Sequence, residues 1–146
     1  RFVFAPKALV YFRPRSSLRA FFKQYYRYAR GDGKADLWRK RHAVRYLTYL
    51  VALPALLVLS ILHSPWWLAL LSAGAAYYLY PPYRRLLPEI GDLPPAEQLR
   101  AIAWVPAIRV VGDVAKMIGY PVGWVWRLRR RRDPAIHWRK ALQRER

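Results

Sequence analysis

From Tyr46 to Tyr83 the chain carries not one Asp, Glu, Lys or Arg. Elsewhere its 146 residues hold 27 Lys and Arg against 8 Asp and Glu, so the whole net charge of +19 lies on the flanks. A hydrocarbon core about 30 Å thick is crossed by roughly 20 apolar residues, so the uncharged stretch suffices for two helices and is too long for one. His63-Ser64-Pro65 is its polar break, and Trp66 and Trp67 follow at once. The sequence therefore predicts a transmembrane helical hairpin over residues 43–83, with spans Tyr46–Leu62 and Trp66–Tyr83. Tyr and Trp favour the membrane–water interface. That places Tyr46 and Tyr49 at one edge, Trp66 and Trp67 at the other, and Tyr77, Tyr78, Tyr80 and Tyr83 back at the first. Pro54 is expected to kink the first span, as membrane helices tolerate. Gly74 among Ala73, Ala75 and Ala76 is expected to give the second helix a small face for close packing on the first.

Arg39, Lys40, Arg41 and Arg45 precede the hairpin and Arg84 and Arg85 follow it, while its turn has neither Lys nor Arg. The positive-inside rule then puts both termini in the cytoplasm, in a multi-pass protein of the cell (plasma) membrane. A buried hairpin in a soluble protein is the alternative, but so short a chain could hardly cover it. With 55% hydrophobic residues the chain is no disordered tail. It has no Cys, and His42, His63 and His137 are scattered, so no disulfide framework, thiol nucleophile or zinc site is expected. Cations interleaved with aromatics would also suit RNA, but no RNP motif, KH loop or zinc finger accompanies them, and nucleic acid is not an expected partner. No set of residues in this chain forms a plausible catalytic centre.

The remainder is arranged around the hairpin. Residues 1–15, RFVFAPKALVYFRPR, read as short strands without sheet partners, the trailing edge of a further domain. Residues 16–38 read as an amphipathic interfacial helix, capped by Ser16 or Ser17 and ended by Gly31-Asp32-Gly33. Leu18, Phe21, Phe22, Tyr25 and Ala29 share one face for acyl chains; Arg19, Lys23, Arg27 and Arg30 line the other for anionic headgroups. Residues 84–98, with Pro88, Pro94 and Pro95, form a linker. Residues 99–126 are expected to be an amphipathic or shallow membrane helix broken at Pro106. A full span would bury Arg109, Asp113 and Lys116, although Arg109 can meet Asp113 at i,i+4. A basic cytoplasmic tail, 127–146, holds Arg129, Arg130, Arg131 and Arg132, which suit an anionic bilayer surface. The expected fold class is thus mainly α and membrane-bound: a short N-terminal strand remnant, an interfacial helix, a two-span hairpin, a further amphipathic helix and a basic tail.

One motif points to chemistry. Gln24-Tyr25-Tyr26-Arg27-Tyr28 resembles the Gln-x-x-Arg-Trp element of membrane-bound family 2 glycosyltransferases, with Tyr in place of the final Trp. Arg13-Pro14-Arg15-Ser16-Ser17-Leu18 and the run from Tyr28 to Ala35 (Tyr-Ala-Arg-Gly-Asp-Gly-Lys-Ala) are similar to the segment closing the GT-A type catalytic domain in non-processive bacterial members. The order of final strand, interfacial helix and membrane hairpin also fits. The resemblance implies that Arg27 neighbours a nucleotide diphosphate while Gln24 and Tyr28 help form the acceptor end of the site. It further implies that a metal-binding Asp-x-Asp, with Mg or Mn, and the activating base lie upstream, outside this chain. The expected function is that of a C-terminal membrane-anchoring fragment, inactive alone, of an enzyme transferring a sugar from a nucleotide-sugar donor to a cell-envelope glycan or lipid. The alternative is a complete, non-enzymatic two-span anchor or assembly protein.

Overall fold

Ser17 starts the first helix, its hydroxyl accepting from the Ala20 amide at 3.3 Å, the usual satisfaction of an orphan N-terminal donor. The computed structural model describes Leu9, Tyr11 and residues 15–133. The expected strand remnant lies outside these residues apart from Leu9, Tyr11 and Arg15, which are exposed and take no regular structure. Residues 134–146 of the basic tail also lie outside them. Four helices and no strand fill the described residues: α1 (Leu18–Ala35), α2 (Arg39–Leu62), α3 (Trp67–Leu86) and α4 (Pro95–Arg129).

The Gly31-Asp32-Gly33 run does not end α1. The helix continues to Ala35 and stops at Asp36, whose φ of 60° is left-handed, a conformation Asp tolerates better than most residues. The reason is tertiary. Residues Tyr26, Arg30 and Gly33 of α1 lie against Gly119, Gly123 and Tyr120 of α4 so closely that added Cβ atoms would overlap backbone. A Cβ on Gly119 would strike the Tyr26 carbonyl oxygen, one on Gly123 that of Arg30, and one on Gly33 that of Tyr120. The series Phe21–Gly112, Tyr26–Gly119, Arg30–Gly123 and Lys34–Arg127 rises together, so the two helices run parallel. Small residues stand at four-residue spacing on both helices, Ala115, Gly119 and Gly123 on α4 and Ala29 and Gly33 on α1, which lets backbones approach. Ala29, Gly33, Ala115, Gly119 and Gly123 are all buried. The α1 face expected to lie among acyl chains is therefore largely occupied by α4, and Phe21 sits over Gly112.

Between these partners runs the hairpin. Arg39–Leu62 is the one helix among the described residues long and apolar enough to cross a membrane, with a mean hydropathy of 1.8 in its most apolar window and none of that window buried. The companion α3 is of similar length but more polar, with four tyrosines and Pro81-Pro82 in its second half. It returns beside α2, where the hydroxyls of Tyr49 and Tyr78 meet at 3.0 Å. Contrary to expectation, Gly74 does not bring α3 close to α2, for nothing lies within 4 Å of where its Cβ would be.

Prolines inside these helices are expected to kink or break them, yet α4 runs unbroken through Pro106 and Pro121 from Pro95 to Arg129. The linker is correspondingly reduced to residues 87–94, where Gln98 ties the chain by donating to the carbonyls of Gly91 and Leu93. A helical proline removes the N–H that would bond the carbonyl four residues earlier. Three of the carbonyls so released are taken by side chains from another helix. Tyr83 donates to Ile102 (freed by Pro106) at 3.1 Å, Tyr46 to Met117 (freed by Pro121) at 2.6 Å, and Arg109 to Tyr78 (freed by Pro82) at 3.2 Å. Pro54 instead follows a π-helical turn over Thr48–Ala52, a local adjustment of the kind that re-satisfies backbone groups near a helical proline.

Two outcomes follow from this packing. Gly31 is helical with open space around it, so Gly31→Ala should stabilise by about 0.5–1 kcal/mol. Gly123→Ala should destabilise by about 3 kcal/mol or more, because only backbone can yield; thermal unfolding in detergent, followed by circular dichroism, reads both. Tyr46→Phe should cost about 1–3 kcal/mol by orphaning the Met117 carbonyl. In a Pro121→Ala background that cost should largely vanish, because the substituted residue supplies the missing N–H, and a double-mutant cycle measures the coupling.

Candidate functional site

Gln24, Arg27 and Tyr28 stand three and four positions apart and so fall on one face of α1. The structure brings them together. Arg15, just before the helix, donates from Nε to Gln24 Oε1 at 3.1 Å, and Gln24 Nε2 donates to the Tyr28 hydroxyl at 2.8 Å. Arg15, Ala20, Lys23, Gln24, Arg27 and Tyr28 line an open cleft of about 260 Å³. Three of those six residues are cations and none is an acid, so the cleft suits an anion, and a guanidinium can hold phosphate by parallel bonds. The Tyr28 ring is 59% exposed and free to stack on a flat apolar surface. Arg15 is not singled out by the sequence, because its role depends on how the chain enters α1.

The residues assigned to a membrane surface fall in two places. Arg19, Lys23 and Arg30 are exposed along α1, and Lys23 also belongs to the cleft. Arg129, Arg130, Arg131 and Arg132 are exposed at the end of α4 and just beyond, where Arg130 lies 4.9 Å from the centre of the Trp126 ring.

A second cluster joins all four helices and is largely buried. The expected pairing of Arg109 with Asp113 does not form; Arg109 turns to the Tyr78 carbonyl and stacks 4.3 Å over its ring. Asp113 is only 7% exposed and is held by Arg45 Nε at 2.8 Å, Lys116 at 3.6 Å, and the hydroxyls of Tyr78 and Tyr49 at 2.6 and 3.3 Å. Arg45 also reaches His42 Nδ1 at 3.3 Å, while His42 Nε2 lies 3.4 Å from Asp32 and its ring stacks on Tyr120 at 3.9 Å. A neutral imidazole with its proton on Nε2 satisfies both neighbours. At the α1–α2 turn, Asp36 takes Arg39 and, from α4, Arg127 at 3.3 Å. Hydrogen bonding from Arg39, with the charge of Arg127, holds the Asp36 carboxyl below its usual pKa against the effect of burial.

Burial alone would raise the Asp113 carboxyl, but hydrogen bonds from Tyr78 and Arg45 and the charges of Arg45 and Lys116 outweigh it and hold the group low. Burial pushes the Lys116 ammonium down, opposed by Asp113. The signal for this cluster in the sequence is an acid within an apolar helix. Its partners, 68 and 35 positions away, are not deducible from local spacing. Among the described residues no cluster of His, Asp and Glu is arranged to hold a metal ion. Set beside known proteins, the chain matches no family model, no curated protein and no solved structure.

Because the Asp113 pKa is depressed in the fold, its contribution to stability is present above the unfolded value of 3.8 and is lost as pH falls through the folded value. Asp113→Asn should cost about 3–5 kcal/mol at neutral pH, leaving Arg45 and Lys116 uncompensated. It should also flatten the decline of stability below that value, as unfolding midpoints measured from neutral to acid pH will show.

Proposed function

We propose that this chain is the membrane-anchoring C-terminal part of a family 2 glycosyltransferase, working at the cytoplasmic face of the cell membrane. The observation that carries the reading is the cleft on α1, where all three residues of the Gln-x-x-Arg-aromatic motif converge with Arg15 and Lys23. Arg27 is assigned to the diphosphate of a nucleotide-sugar donor, with Arg15 and Lys23 neutralising further negative charge. Gln24, fixed between Arg15 and Tyr28, presents an oriented amide. Tyr28 offers its exposed ring to the apolar face of a sugar, and the smaller ring in place of Trp accords with single transfers rather than processive synthesis. A divalent cation, Mg or Mn, held by an Asp-x-Asp upstream, would share the diphosphate charge.

In this reading both α2 and α3 cross the bilayer, with His63–Pro65 outside and both termini cytoplasmic. The parallel α1/α4 pair lies along the inner surface. Its open side is then α4, where Val114, Ile118, Val122 and Val125 are exposed in a stripe. The exposed cations of α1 and of Arg129–Arg132 meet anionic headgroups.

The decisive residue is Arg27, tested in the full-length enzyme. Arg27→Lys keeps the charge and loses the planar fork. A charge-assisted bond is worth roughly 1.5–3 kcal/mol, so transfer from a nucleotide sugar should fall about ten- to a hundredfold. Arg19→Lys and Arg30→Lys share the basic face but not the cleft and should transfer normally. Three equally active Lys variants would assign the whole face to lipid attraction and remove the donor role from Arg27.

A further inference from the structure

Between α2 and α3 the chain leaves an apolar groove of about 350 Å³, walled by Leu53, Leu56, Leu71, Gly74 and Tyr78 and by Val110 from α4. That volume is within the range of ordinary small-molecule sites, roughly 300–1,000 Å³. The groove exists because Gly74 and Ala75 put no bulk where Leu53 and Leu56 face them, while Tyr49 and Tyr78 meet at one end and hold the helices there. Its wall is the one described helix apolar enough to cross a membrane, so it opens where lipid would be. An unfilled apolar gap forfeits the dispersion contacts of every atom lining it.

Charge at the tyrosine end narrows the occupant. Arg45 and Lys116 hold the one acid there, Asp113, and Arg109 adds a third cation beside Tyr78. Arg109 stacks on the Tyr78 ring that closes the groove, and its Nε has no hydrogen-bond partner. A cationic end joined to an apolar channel complements an amphiphile with a negative head. We propose that the groove holds one hydrocarbon chain of an anionic phospholipid, whose headgroup lies at Arg109. This rests on the membrane reading given above and not on the assignment of the α1 cleft.

The test uses the chain purified in detergent, with phosphatidylglycerol or phosphatidylcholine added and bound lipid counted by native mass spectrometry. Wild type should retain one phosphatidylglycerol in preference to phosphatidylcholine. Gly74→Phe has room to fill the groove and should lower that retention about tenfold, the worth of roughly two buried methylenes. Arg109→Gln should keep chain binding and lose the preference for the anionic head. Gly91→Phe, equally free of neighbours but in the loop, should behave as wild type. Gly74→Leu fills the groove more gently and carries the same readout should the Phe variant lose its helicity. Unchanged retention in a folded Gly74 variant overturns the proposal, as does a dimer in the spectra in place of a lipid adduct. Recovery of the wild-type chain from aqueous extracts of cells rather than from their membranes would instead overturn the membrane reading itself.

Discussion

Two helices in this protein meet through their main chains, and that contact decides where everything else goes. Gly119, Gly123 and Gly33 leave α1 and α4 no side-chain layer between them, so the pair has almost no freedom to slide. Close backbone approach of this kind gains dispersion and weak Cα–H···O contacts. It needs no hydrophobic effect, so it serves equally in water and in lipid. With α1 and α4 locked in parallel, the basic face of α1 points outward, and Asp113 is carried to the level of Arg45, Tyr49 and Tyr78.

Around this seam the other helices are held by polar bonds to groups that regular helices would satisfy themselves. The freed carbonyls of Tyr78, Ile102 and Met117 each receive a donor from a different helix. Together with the Asp113 cluster they tie α2 and α3 to α4 at several heights. The hairpin has little apolar packing against the remainder, since α2 is exposed along its most apolar window. Hydrogen bonds of defined length then fix the register that a packed core would otherwise fix.

The sequence is most legible where the information is local. The Ser17 cap, the amphipathic division of α1, the turn at His63–Pro65 and the shared face of Gln24, Arg27 and Tyr28 all follow from spacing within a few turns. Gly74 apart, which is read as a close contact and has open space around it, the errors share a physical source. Glycine and proline read locally as ends, and here both sit inside helices: Gly33 because α4 needs its bare backbone, Pro106 because a distant tyrosine serves the carbonyl it releases. Arg109 belongs by spacing to Asp113 four residues on, but a carbonyl on α3 and the ring of Tyr78 compete for it. In each case the partner is too remote in sequence for periodicity to reveal it.

The parallel seam also sets an order of assembly. Lys34 and Arg127, bonded where α1 and α4 run side by side, stand 93 positions apart, and contacts so distant in sequence form late. During synthesis α1 emerges first but has no partner until the hairpin is placed and α4 has been made beyond Gly123. Until then its apolar face is open, and Gly31 and Gly33 weaken it as an isolated helix. The helix that carries the cleft is consequently translated ahead of the hairpin and gains its packing partner only after it.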